Sequence, residues 1–127
     1  MEKLKINARK DTPYVLFDEE TGIFEISGKS LPEDAVKFYS PIINWIEEYI
    51  KSPKDPTVVN FKFMYINTAS SKKVIEIISL FVRIKSVKKE LRINWHYKRD
   101  DEEQREEGED YSDIVNYPFN FIEYTRF

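Results

Sequence analysis

Cysteine is absent from the 127 residues, which excludes disulfides, thiolate metal sites and cysteine nucleophiles together and suits a cytoplasmic protein. Histidine occurs once, as His96. No apolar run approaches the roughly 20 residues that a transmembrane helix needs, and no membrane insertion is expected. The opening Met1-Glu-Lys-Leu-Lys-Ile-Asn7 has no apolar h-region followed by a small-residue cleavage site, so it does not read as a signal peptide. Glycine is scarce, with three residues against six prolines. Repeats, low-complexity tracts and an interdomain linker are all missing. What remains is one domain over residues 1–127, long enough to bury a real core.

Charge is present but unevenly placed. Residues 100–113, "DDEEQREEGEDYSD", hold nine acids and one arginine, a local charge of −8. The overall value is −3, so the rest of the chain carries +5. Lys85, Lys88, Lys89 and Arg92 cluster between a helix and a strand, but the acidic stretch opposes any polyanion nearby, and no nucleic-acid partner is expected.

Aromatic and β-branched runs supply the elements. "YVLF" (14–17) and "GIFEIS" (22–27) read as a hairpin. Ser30-Leu-Pro-Glu33 reads as a helix start with Ser30 as cap and Glu33 as its capping-box partner. Ala35, Phe38, Tyr39, Ile42, Ile43, Ile46, Tyr49 and Ile50 follow at helical spacing. Pro41 inside that pattern should kink or break the helix near residue 37. "TVVNFKFMYI" (57–66) is a strand whose odd positions Val59, Phe61, Phe63 and Tyr65 form one face. Val58, Met64 and Ile66 make the second face partly apolar, which reads as a strand covered on both sides. A helix over about 69–86, a strand "LRINWHY" (91–97), a charged helix over about 100–114 and a strand "PFNFIEY" (118–124) complete the chain. The order β-β-α-β-α-β-α-β predicts an α/β fold: a central mixed sheet, made of the N-terminal hairpin plus parallel strands, with helices packed on it.

Three segments resemble chemical motifs and fall short of them. Gly28-Lys29-Ser30 looks like the tail of a P-loop, but Ile23 stands where the first glycine belongs and Pro32 removes an N–H that would cradle phosphate. His96 has no cysteine partner, and strand alternation turns it away from Trp95 and Tyr97. A small enzyme would need it to meet a carboxylate in a pocket. The acidic segment lacks the ligand order of a calcium loop and reads as a solvated helix face, its first acids placed where a helix N-terminus welcomes them. No metal or cofactor is expected.

The segment Asn67-Thr68-Ala69-Ser70-Ser71-Lys72 is different. Asn67 or Thr68 caps the following helix, with Ser70 and Ser71 in its first turn. The hydroxyls outnumber what one cap needs, and they lie beyond the carboxyl end of a central strand, where open α/β sheets place their sites. A helix start with free N–H groups also accommodates an anion, including a phosphate attached there, with Lys72 and Lys73 close by.

The whole chain resembles the SiaC family of bacterial regulatory phosphoproteins, whose fold is similar to the STAS domains of anti-sigma-factor antagonists. The resemblance rests on Thr12-Pro13, Gly28-Lys-Ser-Leu-Pro-Glu-Asp34, Phe38-Tyr-Ser-Pro41, Tyr65-Ile-Asn-Thr-Ala-Ser-Ser-Lys72, Asn94-Trp-His-Tyr97, the acidic stretch with Glu107-Gly-Glu109, and Pro118-Phe119. It implies a non-enzymatic adaptor with a threonine phosphorylated by a dedicated kinase and dephosphorylated by a PP2C-type phosphatase. It also implies an unphosphorylated form that binds and activates a diguanylate cyclase, raising cyclic di-GMP and favouring biofilm. Carried over by motif, the acceptor is Thr68, supported by Asn67, Ser70, Ser71 and Lys72, with Tyr65, Lys73 and Glu33 as candidate partner-facing residues. Ala69 departs from the motif, which usually has serine there. The alternatives are a STAS-like interaction domain without a phosphate switch, Thr68 being a plain cap, and a small enzyme using His96.

Overall fold

The computed structural model describes residues 1–125. Its elements are β1 (Leu4–Ile6), β2 (Tyr14–Asp18), β3 (Ile23–Ser30), α1 (Ala35–Tyr49), β4 (Thr57–Ile66), α2 (Thr68–Val82), β5 (Leu91–Lys98), α3 (Glu102–Val115) and β6 (Asn120–Tyr124), with a short 3-10 segment at Arg83–Val87. The six strands form one sheet in sequence order. β1–β2 and β2–β3 are antiparallel, and β3–β4, β4–β5 and β5–β6 are parallel. The expected α/β class and mixed sheet are present, with one strand more than the sequence suggested. β1 has only three residues, too few for alternation to register.

Every parallel connection runs to the adjacent strand in the same direction. Right-handed crossovers therefore place all three helices on one face of the sheet. Burial follows that geometry: Val59, Phe61 and Phe63 of β4 and Leu91, Ile93 and Trp95 of β5 are buried, while Val58, Asn60, Lys62, Arg92, Asn94 and His96 between them are partly or fully exposed. The expectation that β4 is covered on both faces is thus corrected. Its second face is open and carries an amide ladder, in which Asn120 Nδ2 donates to Asn94 Oδ1 at 3.1 Å and Asn94 Nδ2 to Asn60 Oδ1 at 3.0 Å.

Two further corrections concern α1. Asp34, not Ser30, is its N-cap, accepting from the Lys37 N–H. Ser30 instead ends β3, fully buried, and Glu33 has no capping role. The helix also runs unbroken through Pro41. Pro41 and Lys37 are both exposed, so water can satisfy the carbonyl that proline leaves unpaired.

The core is strongly aromatic. Phe17, Phe24, Trp45, Tyr49 and Phe81 meet under α1 and α2. Phe61, Phe63, Trp95, Tyr111 and Phe119 meet under α3. Such rings bury large areas and add edge-on contacts beyond their area.

Candidate functional site

The carboxyl ends of β3 and β4 meet at the start of α2. Ser30 pairs in register with Ile66, and the Asn67 N–H donates to the Ser30 carbonyl at 2.9 Å. Asn67 is the cap: its Oδ1 accepts from the Ser70 N–H at 2.8 Å and its carbonyl from the Ser71 N–H at 2.9 Å. That closes the choice between Asn67 and Thr68 in favour of Asn67.

The hydroxyls then separate by role. Ser70 is fully buried and accepts from Ser30 Oγ at 2.9 Å, and Ser30 in turn shares a 2.5 Å hydrogen bond with the Tyr39 hydroxyl of α1. Burial pushes the Tyr39 phenol up to about 12, the two serines partly offsetting it. Ser71 bonds the Tyr111 hydroxyl of α3 at 2.5 Å, and Tyr111 donates to Glu107 Oε2 at 3.3 Å. Burial raises the pKa of the Glu107 carboxyl. The Tyr111 hydroxyl opposes that shift, and the charges of Asp101 and Asp110 add to it. Ser70 and Ser71 therefore tie α2 to the helices on either side.

Thr68 is left over. It is exposed at the first position of α2, and its hydroxyl has no hydrogen-bond partner among the described residues. Lys72, one turn on, is also exposed. Lys73 points elsewhere, partly buried and 3.5 Å from Glu76. Glu33 lies apart from this cluster, on an open groove of about 820 Å³ between residues 9–12 and the start of α1, floored by Ile6, Phe38 and Pro41. Tyr65 is near Thr68 in sequence but on the open sheet face. The register with β3 slips after Gly28, so that Met64 is passed over and Lys29 pairs with Tyr65. This extra residue reverses the alternation, exposes Tyr65 and turns Ile66 inward, where odd-even counting had put Tyr65 inside.

The hydrogen bonds that bring Tyr39, Tyr111 and Glu107 into the site escaped the sequence reading. The pair Glu107 and Tyr111 sits at i, i+4 spacing in a helix that is mostly hydrophilic before Ile114, and its lone aromatic was the available signal. His96 faces away from Trp95 as expected. Its Nε2 lies 3.1 Å from Asn60 Oδ1, and among the described residues no carboxylate hydrogen-bonds to it. No group of three or more metal-ligating side chains occurs among the described residues, and no helix there is long and apolar enough to cross a membrane.

Fold and site describe a small mixed α/β module that presents one unengaged hydroxyl at a helix start. Residues 6–124 match the model of the SiaC family of regulatory phosphoproteins, and the chain belongs to that family. It is 26% identical over 119 residues to an uncharacterized protein of Pseudomonas aeruginosa (strain UCBPP-PA14), covering 94% of each. Among solved structures it is similar to SiaC of Pseudomonas aeruginosa, with TM-score 0.87 at 24% identity over 98% of this chain and 100% of that one. It is also similar to the crystal structure of the diguanylate cyclase SiaD in complex with its activator SiaC, with TM-score 0.88 at 25% identity over 95% of this chain and 99% of the matched chain.

Proposed function

We propose that this protein is a non-enzymatic, cytoplasmic signalling adaptor whose partner binding is switched by reversible phosphorylation of Thr68. A cognate kinase adds the phosphate, a PP2C-type phosphatase removes it, and the unmodified form binds an output protein such as a diguanylate cyclase. The observation that carries this reading is the division of labour at the start of α2: Asn67 caps, Ser70 and Ser71 hold neighbouring helices, and the Thr68 hydroxyl remains exposed and unengaged. A phosphoryl group there brings roughly −1.5 to −2 charges to a helix N-terminus, which tolerates them. The modified domain stays folded while its surface changes sign.

The test is intact-mass measurement and site mapping on the protein purified from its native host. One phosphoryl group on Thr68 is expected, and Thr68→Asp should fold normally yet lose the output partner. Equal binding of every partner by the unmodified and stoichiometrically Thr68-phosphorylated forms would falsify the switch.

A further inference from the structure

The sheet has two edges, and they are not alike. β1 has three residues, a short template for any further strand, whereas β6 has five. β6 pairs with β5 alone. Among the described residues, no backbone group of residues 120–123 has a partner beyond β5. Alternate N–H and C=O groups along a strand point away from the neighbour already paired, so this edge presents donors and acceptors to a further strand. The Asn120, Ile122 and Glu123 side chains are exposed there.

Space and charge of one sign lie beside that edge. Strand alternation puts Phe121 and Glu123 on the helix side, where Arg105 of α3 lies over the Phe121 ring. Ile122, the register partner of His96, is on the open face. A groove of about 410 Å³ runs between β6, the β5–α3 turn and the outer side of α3. Its walls carry six carboxylates, those of Asp100, Asp101, Glu102, Glu106, Glu109 and Glu123, against the one guanidinium of Arg105. That guanidinium is held by Glu109 at 3.0 Å. The other five carboxylates have no ion-pair partner among the described residues. A strand added about 4.8 Å beyond β6 points every second side chain toward this groove. The same charge disfavours other occupants. A second copy pairing β6 to β6 about a two-fold axis sets one acidic groove beside the other, and a nucleic acid meets the same repulsion.

We infer that β6 and the outer side of α3 form a docking surface for an extended, basic protein segment that adds to the sheet as a seventh strand. Its backbone pairs with residues 120–123. Its lysine or arginine side chains, at alternate positions, enter the groove and meet Glu102, Glu106 and Glu123. The residues between them pack beside Ile122 on the open face. The carboxylates supply the selectivity, because an acidic strand at this edge is repelled. Arg105 and Glu109 face β6, whereas Glu107 and Tyr111, half a turn away, face α2 and Ser71. The surface is therefore separate from the start of α2 and does not depend on the Thr68 switch.

The test uses the full chain, isotope-labelled, titrated with an end-blocked peptide of about eight residues that alternates lysine with valine. The same peptide with glutamate for lysine is the charge control. A third peptide, N-methylated at every residue, keeps the lysines but has no backbone N–H to donate. The lysine peptide should shift the amide resonances of residues 120–123 together with those of Arg105 and Glu109. It should also slow hydrogen exchange along β6 and bind more weakly with added salt. The glutamate and N-methylated peptides should not bind. Glu106→Lys combined with Glu123→Lys, both at exposed positions, should reduce affinity for the lysine peptide about tenfold or more. If that double variant fails to fold, the two control peptides decide alone. No shift at residues 120–123, or equal shifts from the glutamate peptide, overturns the docking surface. Undiminished binding by the N-methylated peptide overturns it too, since charge attraction without strand pairing would then suffice. So does undiminished affinity in the folded double variant, or sedimentation showing that a second copy of the chain occupies the edge.

Discussion

Asn67 and Thr68 sit side by side at the start of α2, and their side chains do opposite things. Asn67 Oδ1 satisfies the Ser70 N–H, one of the donors every helix start leaves unpaired. Asn67→Ala should therefore cost about 1 kcal/mol of stability. Thr68 makes no such bond and lies exposed in the first turn, where alanine is a better helix former, so Thr68→Ala should change stability by less than about 0.5 kcal/mol. Urea titrations of both variants check this. A large loss for Thr68→Ala would make that residue a structural cap and weaken its assignment as a switch. The segment's position at a strand end and helix start was legible from residue types alone. Which of its three hydroxyls stayed free was not, because that depends on Tyr39 and Tyr111, 29 and 43 residues away from Thr68 in the chain.

The same distinction between pattern and packing holds for elements. Strand and helix periods located nearly all of them, since buried positions recur at spacings that a sequence displays. The bulge in β4 escaped because one extra residue changes which side chains face inward without changing composition. α3 is a sharper case. Its acids read as a solvated face, and most of it is solvated, but Gly108 and Tyr111 are buried against Trp95. Gln104, one turn earlier, accepts the Trp95 Nε1–H through its carbonyl at 2.9 Å. A Cβ on Gly108 would stand 2.5 Å from the indole Cδ1. The ring is enclosed by Phe61, Phe63 and Phe119, so it cannot swing away, and α3 would have to lift. Gly108→Ala should thus lower stability by about 1–3 kcal/mol from overpacking, even though alanine gains up to ~1 kcal/mol in helix propensity. Chemical denaturation followed by tryptophan fluorescence measures the balance. A variant as stable as the parent would show that α3 is free to shift, and with it the Tyr111–Ser71 contact to the switch helix.

At the scale of the whole molecule, one-sided helix coverage gives the sheet two unlike environments, each with a perturbed titrating group. On the open face, partial burial and then the Lys62 charge hold the His96 imidazolium below its usual 6.5, with Glu25 opposing. Under the helices, burial raises the Glu107 carboxyl above 4.5. These shifts act on stability in opposite directions. The folded protein takes up a proton on His96 less readily than the unfolded chain, so the His96 contribution is complete above about pH 6.5 and is lost as pH falls through the depressed pKa. The folded protein takes up a proton on Glu107 more readily, so that contribution is complete below about pH 4.5 and is lost as pH rises through the raised pKa. Among the described residues the two groups share no hydrogen-bond partner, and they lie on opposite sides of the sheet, so their effects should add. His96→Asn should flatten the decline of stability below pH 6.5. Glu107→Gln, which keeps an acceptor for Tyr111, should remove the loss on raising pH above 4.5 and leave the protein at least as stable as the parent at neutral pH. Denaturant midpoints across pH 4–8 for parent, single and double variants test both signs at once. A Glu107→Gln protein less stable than the parent at pH 7 would mean that the carboxylate is held by a favourable interaction stronger than its burial cost. The Ser71–Tyr111–Glu107 chain would then be clamping α3 to α2 through charge, not merely through packing.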